Sequence, residues 1–340
     1  MEIHTRYDFN NLYTYCLGGD LSHIISQSSA DSLDKAAQLL LSGSLIAFPT
    51  ETVYGLGADA SNADAVARIY QVKGRPADHP LIVHIAAMED MDLWAKDIPT
   101  YAIALARDFW PGPMTLVLNR DESAKDFITG GQESVGLRVP AHAIALGLLG
   151  AFKKLGGKGI AAPSANRFGQ VSPTTANAVE EEIQDFLLST DLILDGGQAL
   201  VGVESTIIDC TQNAPQILRP GAITQQMIEE STQLKVANIT DASIRVSGSL
   251  ENHYSPKAHV VLGAMAEAGE GFIALASITT PKGAVRLASP KTIDDYARVL
   301  YLALREADAQ GLSKIAVIEP EGDGLAIAIR DRLLRASRGR

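Results

Sequence analysis

The feature that most constrains the fold is a short apolar run that ends at a proline and a polar segment. Residues 44–48 form an apolar run typical of a short buried strand. Pro49 ends the strand's ladder of hydrogen bonds because proline has no N–H to donate. Residues 50–59 then bring hydroxyls, carboxylates and glycines together, which predicts a loop. Loops that follow strands in α/β proteins often bind ligands, although an ordinary turn rich in threonine and glycine is an equally good reading of this segment alone.

Residues 55–60 also match the dinucleotide-binding pattern G-x-G-x-x-A. That pattern requires a strand directly before the first glycine and a helix that opens on its last position. Here six residues separate the strand from Gly55, and the next helix is predicted over Ala63–Val72 with Ser61 or Asn62 as its N-cap. The spacing therefore argues against NAD binding.

Apolar periodicity predicts strands that alternate with helices, as in an α/β protein. The predicted helices are 31–41, 63–72, 101–109, 141–155 with Pro140 in its first turn, and 175–188. The predicted strands are 44–48, 81–85, 114–118, 134–139, 160–162, 192–194 and 204–209, followed later by 259–262, 272–276 and 315–318. The 340 residues are enough for two domains. Residues 238–256 lack apolar periodicity and indicate a linker, so we predict an extension (1–30), a larger domain (31–237), the linker and a smaller domain (257–340).

Composition excludes several classes of protein. A net charge of −11 argues against a general nucleic-acid coat protein. No apolar run approaches the roughly 20 residues that cross a bilayer, so no membrane span is expected. Two cysteines, Cys16 and Cys210, are typical of a reducing compartment, which favours the cytoplasm. Five arginines near the C-terminus are interpreted as a solvated helix end that suits the helix dipole, with a weak RNA contact as the alternative; they are Arg330, Arg332, Arg335, Arg338 and Arg340.

Cations and hydroxyls recur where strands end or where proline and glycine frame a turn. The cations are Lys73, Arg75, Arg138 and Arg219, and the hydroxyls are those of Ser134, Ser164, Ser172 and Ser205. Together they indicate a bound polyanion, because arginine grips phosphate and carboxylate in a planar, bidentate way. A surface ion pair is the alternative for each arginine taken alone. Strand-end positions also predict that Arg75 and Arg219 lie near the surface and contribute little to stability.

Six ordered motifs resemble those of the threonylcarbamoyl-AMP synthase family, which is built on the YrdC-like domain. They are 48–57, 73–76 followed by 79–81, 110–115, 135–140, 163–166 and 204–207. The similarity runs from about residue 31 to residue 221 and continues through 253–256 into a C-terminal domain typical of the long form of the family. It implies a YrdC-like twisted mixed sheet with flanking helices, followed by a smaller Rossmann-like parallel α/β domain.

The resemblance also implies an enzyme, a nucleotidyltransferase that condenses L-threonine, bicarbonate and ATP into threonylcarbamoyl-AMP and pyrophosphate. The product would supply the machinery that threonylcarbamoylates an adenosine beside the tRNA anticodon. Threonine would contact Thr52, His84, Arg138, the backbone at Ala162, and Ser205. ATP would contact Lys73, Arg75, His79, Ser134, Ser164, Ser172, Arg219 and Tyr254, with Lys73 and Arg75 stabilising charge and no residue acting as a nucleophile. Magnesium would arrive with ATP, so no metal site made by the protein is expected.

Two other functions remain open on the sequence. One is an RNA-binding maturation factor that uses a cationic concavity, with a weak tRNA contact; the net charge of −11 and the lack of an aromatic stacking pattern disfavour it. The other is a carbamoyl transferase that uses carbamoyl phosphate, for which the companion zinc-finger and acylphosphatase-like segments are missing. If the chain is the synthase, one interpretation is that residues 238–256 fold over the nucleotide as a lid that carries Tyr254; a simple staple between domains explains this segment equally well.

Overall fold

The structure is a computed structural model that describes residues 24–25, 29–237, 244–246, 248 and 253–339. The predicted extension therefore lies outside the described residues, apart from 24–25, 29 and 30. The predicted linker is described at 244–246, 248 and 253–256.

The larger domain is built on one mixed sheet of ten strands in the described chain. They are β1 (Ile24–Ile25), β2 (Ile46–Phe48), β3 (Gly55–Asp59), β4 (Ile82–His84), β5 (Met114–Asn119), β6 (Ser134–Arg138), β7 (Ile160–Ala161), β8 (Leu192–Leu194), β9 (Thr206–Asp209) and β10 (Gln216–Arg219). Their order in the sheet is β1-β8-β2-β3-β7-β4-β6-β5-β9-β10. The sheet contains parallel pairs such as β4 with β6 and antiparallel pairs such as β5 with β6, which confirms the predicted mixed sheet.

Helices cover both faces of this sheet. They are α1 (Ala30–Leu41), α2 (Ala63–Lys73), α3 (Thr100–Phe109), α4 (Asp126–Thr129), α5 (Ala143–Lys154), α6 (Ala176–Ile183) and α7 (Gln225–Thr232). Side chains of a strand alternate between faces. Accordingly, Ile46 and Phe48 pack in a cluster with α1 and α5, whereas Leu45 and Ala47 belong to the core formed with α2, α3 and α6.

The prediction of a loop after β2 is partly wrong, because the second half of that segment forms strand β3. Phe48 pairs with Gly55 and Ile46 pairs with Gly57 in an antiparallel hairpin. A Cβ at Gly57 would lie 2.7 Å from Ile160 Cγ2 and 2.8 Å from Phe48 Cε1, so only glycine allows these side chains to pack over the strand. The G-x-G pattern is thus a packing feature of the sheet.

Two helix starts also differ from the prediction. Pro140 precedes α5, which begins at Ala143 because His142 caps it: the imidazole Nδ1 accepts a hydrogen bond from Ile144 N at 3.2 Å. Helix α1 begins at Ala30, where the Ser29 hydroxyl accepts from Ser32 N. Capping side chains, rather than the first apolar residue, decide both starts.

The smaller domain is a parallel α/β unit, as predicted. Its elements are β11 (His259–Leu262), β12 (Gly271–Ile273), β13 (Val285–Ala288), α8 (Ile293–Ala309), β14 (Lys314–Val317) and α9 (Leu325–Ser337). The strands lie in the order β11-β14-β12-β13, and every pair is parallel. In the described parts of the chain, no helix has the length and apolar character that a membrane crossing requires.

Helix α8 joins the two domains. Val171 and Val203 of the larger domain share one hydrophobic cluster with Tyr301 of α8. The Arg298 guanidinium donates to the Leu200 carbonyl at 3.0 Å. The core of the smaller domain therefore continues into the larger one.

The backbones of the two domains approach each other closely at Gly202. This contact predicts that alanine destabilises the protein more at Gly202 than at Gly197. A Cβ at Gly202 would lie 2.5 Å from both Ala297 O and Arg298 Cα. Gly197 has a similar positive φ (76° against 81°), but a Cβ there would meet no heavy atom within 4 Å. Each alanine costs ~1–2 kcal/mol in backbone strain. We expect Gly202→Ala to cost a further ~1–3 kcal/mol through overpacking, measured by urea unfolding. Equal losses in both variants would contradict this close contact.

Candidate active site

A cavity of about 50 Å³ lies where the ends of several central strands meet the linker. It is bordered by the turn after β2, by the ends of β4, β6 and β10, by the segment after β7 and by the residues before β9. Nine of the predicted site residues line it: Thr52, Arg75, His84, Arg138, Ala162, Ser164, Ser205, Arg219 and Tyr254. The structure thus brings together positions that lie up to 202 residues apart in the chain, from 52 to 254.

Arg138 is held rigidly at one end of the cavity. Its Nη2 forms an ion pair with Glu51 Oε1 at 2.7 Å, and its Nε donates to the Gly112 carbonyl at 3.2 Å. Its Nη1 donates to the Thr52 hydroxyl at 2.9 Å, and this hydroxyl lies 2.8 Å from that of Thr50. Because both partners of the ion pair are almost fully buried, the guanidinium has a fixed orientation toward the cavity.

The prediction that Arg219 and Arg75 lie near the surface is wrong, because both residues are buried. They are only 3% and 7% exposed. The Arg219 Nε and Nη2 donate to the Ser205 carbonyl at 3.1 and 2.9 Å, and Arg75 Nη2 donates to the Pro80 carbonyl at 3.1 Å. Burial lowers the pKa of Arg75 to about 10 and lowers the pKa of Arg219 as well. Replacing either residue will therefore lower stability, because removal of a buried charge leaves its partners without a hydrogen bond.

Among the neutral side chains of the cavity, three carry a buried polar atom without a hydrogen-bond partner among the described residues. These atoms are His84 Nδ1, His253 Nδ1 and the Tyr254 hydroxyl. Burial lowers the pKa of both imidazoles to about 3 and raises the pKa of Tyr254 to about 12, so all three groups are neutral at pH 7. Buried polar groups are rarely left unpaired, and three in one cavity indicate a polar ligand.

The described part of the linker forms one wall of the cavity. Tyr254 is buried with a φ of +62°, a strained conformation for a non-glycine residue. Its ring lies 4.1 Å from that of His253 and 5.5 Å from that of Tyr301, measured between centroids. A Cβ at Gly248 would lie 2.4 Å from the Tyr254 hydroxyl and 3.0 Å from Arg219 Nη1. The linker therefore fits closely against the cations of the site.

Two predicted ATP ligands lie behind the wall of the cavity. The Lys73 ammonium donates to the Ser164 carbonyl at 2.6 Å and to that of Asn166, while burial lowers its pKa. The Ser172 hydroxyl donates to Glu204 Oε1 at 2.7 Å. Lys73 therefore shapes the segment after β7 in this structure, and Ser172 holds a carboxylate. Their contact with ATP stays a prediction.

His79 and Ser134 lie to the side of the cavity. The His79 ring packs edge-on against Phe168, with centroids 5.5 Å apart. Ser134 lines a neighbouring cavity of about 20 Å³, which shares Ile82 with the first. Their predicted contacts with ATP likewise remain to be tested.

Comparisons with known proteins agree with the resemblance in the motifs. A family model described as "Telomere recombination" (Sua5_yciO_yrdC) matches residues 38–221, and one described as "Threonylcarbamoyl-AMP synthase, C-terminal domain" matches 223–338. The threonylcarbamoyl-AMP synthase of Pyrococcus abyssi is 40% identical over 89% of this chain and 93% of its own. That of Bacillus subtilis is 36% identical over 90% and 93%.

A solved structure is similar over both domains. The crystal structure of P. abyssi Sua5 complexed with L-threonine superposes with a TM-score of 0.83 at 37% identity, and covers 92% of this chain and 97% of that one. The chain belongs to the threonylcarbamoyl-AMP synthase family. The resemblance and the predicted fold are therefore confirmed. The second family model begins at residue 223, whereas α7 still packs on α3 of the larger domain.

The sequence interpretation missed one charged group of this threonylcarbamoyl-AMP synthase family member. The prediction of a solvated C-terminal helix end is wrong for Arg332, which is fully buried and pairs with Glu204 at 2.8 Å. Arg335 instead pairs with Asp331 on the same helix. A signal existed, because residue 332 follows Leu325 by seven positions and so shares the apolar face of α9.

The two buried histidines predict an acid-sensitive fold for this family member. Unfolded histidine titrates near 6.5, whereas burial holds the pKa of His84 and His253 near 3. Below pH 6.5 the unfolded chain therefore binds protons that the folded chain does not, so stability falls by up to ~1.4 kcal/mol per pH unit for each residue. The pKa of Glu204 lies at about 2 against 4.5 when unfolded, so its contribution is lost only below pH 4.5.

We expect the dependence of Tm on pH between 6.5 and 4.5 to weaken in His84→Gln and in His253→Gln. The control His259→Gln changes an exposed histidine and should leave that dependence as it is. Calorimetric scans across this range test the expectation. The same slope in all four proteins would show that the buried imidazoles are not kept neutral by folding.

Proposed function

We propose that this chain is an L-threonylcarbamoyladenylate synthase, which condenses L-threonine, bicarbonate and ATP to threonylcarbamoyl-AMP and pyrophosphate. The observation that carries the proposal is the lining of one cavity. Three buried arginines (Arg75, Arg138 and Arg219) lie there beside three neutral, buried polar atoms that lack partners among the described residues. Such a lining suits a ligand that is anionic at more than one point and also has polar groups of lower charge. The names of the relatives and the threonine complex of P. abyssi Sua5 support it.

The threonine end of the site is assigned to the cluster around Arg138. Its guanidinium, fixed by Glu51, suits a carboxylate, and the Thr52 hydroxyl beside it is a further polar contact. The neutral His84 imidazole and the Ser205 hydroxyl offer hydrogen bonds to the hydroxyl or the carbamate of the substrate, together with the backbone at Ala162. These assignments follow the family resemblance.

The ATP end is assigned to Arg75, Arg219, Ser164 and Tyr254. The amine of threonine and bicarbonate form a carbamate with loss of water. A carbamate oxygen then attacks the α-phosphorus, and the bond from that phosphorus to the bridging oxygen breaks to release pyrophosphate. The step needs alignment of the reactants and neutralisation of the spreading phosphate charge more than it needs a protein nucleophile. The buried arginines meet this need because a site without bulk water strengthens their attraction for phosphate.

Magnesium is proposed to arrive bound to the triphosphate, whose charge it would reduce. The carboxylate that lines the described cavity, Glu204, already accepts hydrogen bonds from Ser172, Tyr301 and Arg332. A magnesium ion usually needs only one or two carboxylates when substrate phosphates supply other ligands. The donor set therefore suits an ion carried by ATP better than a metal centre made by the protein.

The linker is proposed to open and close over the nucleotide. A cavity of about 50 Å³ holds only a few water molecules. The arrangement with Gly248 and Tyr254 against Arg219 is therefore closed, and ATP binding requires the linker to move. Closure would keep water from the carbamate and from the mixed anhydride, both of which hydrolyse.

The product is proposed to pass to a tRNA threonylcarbamoyl-transferase machinery in the cytoplasm. A direct tRNA contact is a weaker part of the proposal, because two of the C-terminal arginines that would supply it are engaged within the protein. Arg332 pairs with Glu204, and Arg335 pairs with Asp331. A steep salt dependence of RNA binding would instead favour the RNA-binding alternative.

Pyrophosphate release tests the reaction directly. It should require ATP, L-threonine and bicarbonate together, and the product should have the mass of threonylcarbamoyl-AMP. Serine lacks one methyl, worth ~1–3 kcal/mol, and should be a poor substrate, while valine should be poorer still if the substrate hydroxyl is bound. Arg75→Met should lose ~10²–10³ in rate, with Arg75→Lys less affected. Arg107→Met, at a largely exposed side chain, is the control. Normal release by a folded Arg75→Met protein would remove Arg75 from the ATP site.

A methyl group at Gly248 tests the closed linker. Gly248→Ala places its Cβ against the Tyr254 hydroxyl, so we expect loss of product formation and faster proteolysis of the linker in the presence of ATP and threonine. Tyr254→Phe alone should be mild, and it should partly rescue Gly248→Ala because it removes the colliding oxygen. Gly263→Ala has a similar positive φ with nothing within 4 Å and serves as the control. Full activity of Gly248→Ala, or of a protein truncated after residue 237, would show that the linker does not act as a lid and only connects the domains.

A further inference from the structure

The carboxylate of Glu204 is held from the smaller domain as well as from its own. Oε1 accepts from the Ser172 hydroxyl at 2.7 Å. Oε2 accepts from the Tyr301 hydroxyl of α8 at 2.9 Å and from Arg332 Nε of α9 at 2.8 Å. The side chains of Tyr301 and Arg332 are fully buried. Two of the three groups that orient this lining residue therefore belong to the smaller domain.

The same two side chains of the smaller domain also contact the linker and the end of β10. The Arg332 guanidinium carbon lies 5.3 Å from the centre of the Tyr254 ring, and that ring stacks on Tyr301 at 5.5 Å. Arg332 Nη2 donates to the Pro220 carbonyl at 3.0 Å, directly after Arg219. Arg332 thus touches three segments that border the cavity: the residues before β9, the linker and the end of β10.

A short chain of contacts leads from Glu204 to the cation of the ATP side. Glu204 is followed in the chain by Ser205, whose carbonyl accepts two hydrogen bonds from Arg219. The Ser205 hydroxyl accepts a third from Arg219 Nη2 at 3.1 Å. A shift of Glu204 would therefore move the acceptors that aim Arg219 at the cavity.

Stability alone does not account for so complete a set of partners. A buried ion pair is often no more stabilising than apolar side chains of equal volume, because its desolvation offsets its attraction. What the pair does provide is one defined arrangement of the groups around it. Here those groups line the cavity.

We propose that Tyr301 and Arg332 are positioning residues, through which the smaller domain sets the orientation of Glu204, Tyr254 and Arg219 on the ATP side of the site. This inference rests on the proposed function for the identity of the nucleotide. It assigns the smaller domain a part in ATP binding that requires no contact between that domain and ATP.

The charges around Glu204 predict how the pH dependence of ATP binding changes when Arg332 or Tyr301 is replaced. The charged and titratable groups that interact with it are Arg219, Arg332, His253, Tyr254 and Tyr301. Burial raises the pKa of Glu204, and the charges of Arg332 and Arg219 outweigh it to leave that pKa at about 2. Without Arg332 the pKa of Glu204 rises. Protonation of Glu204 weakens it as the acceptor that orients its neighbours, so ATP binding should then be lost at a higher pH than in the wild-type protein.

The test compares two matched pairs of variants. Arg332→Met should raise the KM for ATP by ~10–100-fold, as expected when a buried charge loses its partner, and change the KM for threonine less than about twofold. Tyr301→Phe, which removes one oxygen, should raise the KM for ATP by ~2–10-fold. In both, the acid limb of kcat/KM for ATP should move to higher pH. Arg332→Lys should recover part of the loss.

The controls come from the same two helices. Arg330 donates to the Pro320 carbonyl, and Tyr296 is a buried tyrosine that donates to the Ile318 carbonyl, so each makes similar bonds away from Glu204. Arg330→Met and Tyr296→Phe should leave the KM for ATP and the pH profile unchanged, whatever they do to Tm. If Arg332→Met fails to fold, Tyr301→Phe decides alone.

The inference is overturned if Tyr301→Phe behaves like Tyr296→Phe, or if the KM values for ATP and threonine rise together. Calorimetric titration with ATP separates this result from a failure of the proposed function. A wild-type protein that binds ATP but releases no pyrophosphate contradicts only the function, and the Kd for ATP of the variants then decides the inference. A wild-type protein that does not bind ATP contradicts both.

Discussion

The constraint on which this site depends is that charges removed from water must be paired. Arg138 with Glu51, and Arg332 with Glu204, are almost fully buried ion pairs beside one cavity. Moving such groups from water costs several kcal/mol each, which only close, well-aligned partners offset. Each pair therefore fixes its neighbours as well as itself. A preorganised cation requires no reorganisation when phosphate charge develops beside it, and this is how electrostatic catalysis is most effective.

The site is assembled from three separate parts of the chain: the mixed sheet, the linker and the smaller domain. The strand ends of the mixed sheet supply Arg138 and Arg219, the linker supplies the neutral His253 and Tyr254, and the smaller domain supplies two partners of Glu204. Close backbone approaches, at Gly202 between the domains and at Gly248 over the cavity, leave no room for a side chain. Both domains thus contribute residues around this cavity, although each has its own sheet.

Membership of the threonylcarbamoyl-AMP synthase family gives a chemical reason for this arrangement. A carbamate and an acyl adenylate both react with water, so a synthase benefits from a site that excludes water after its substrates bind. The strained Tyr254 backbone, and a Tyr254 hydroxyl with no partner among the described residues, lie in the wall that we propose performs this task. Backbone strain at such a position is common in segments that move or bind ligand.

Local spacing in the sequence determined the alternation of strands and helices and the strand-end placement of Arg138 and Arg219. The ordered motifs placed the chain in its family. Tertiary structure alone decided which charges are buried and with what they pair. Arg332 and Glu204 are 128 positions apart, and Lys73 bonds to carbonyls 91 and 93 positions away. Periodicity reports which face of an element is apolar, whereas ion pairing depends on which elements pack together. The return of residues 55–59 as a strand was decided in the same way, because the side chains of Phe48 and Ile160 pack against Gly57 only once the sheet has formed.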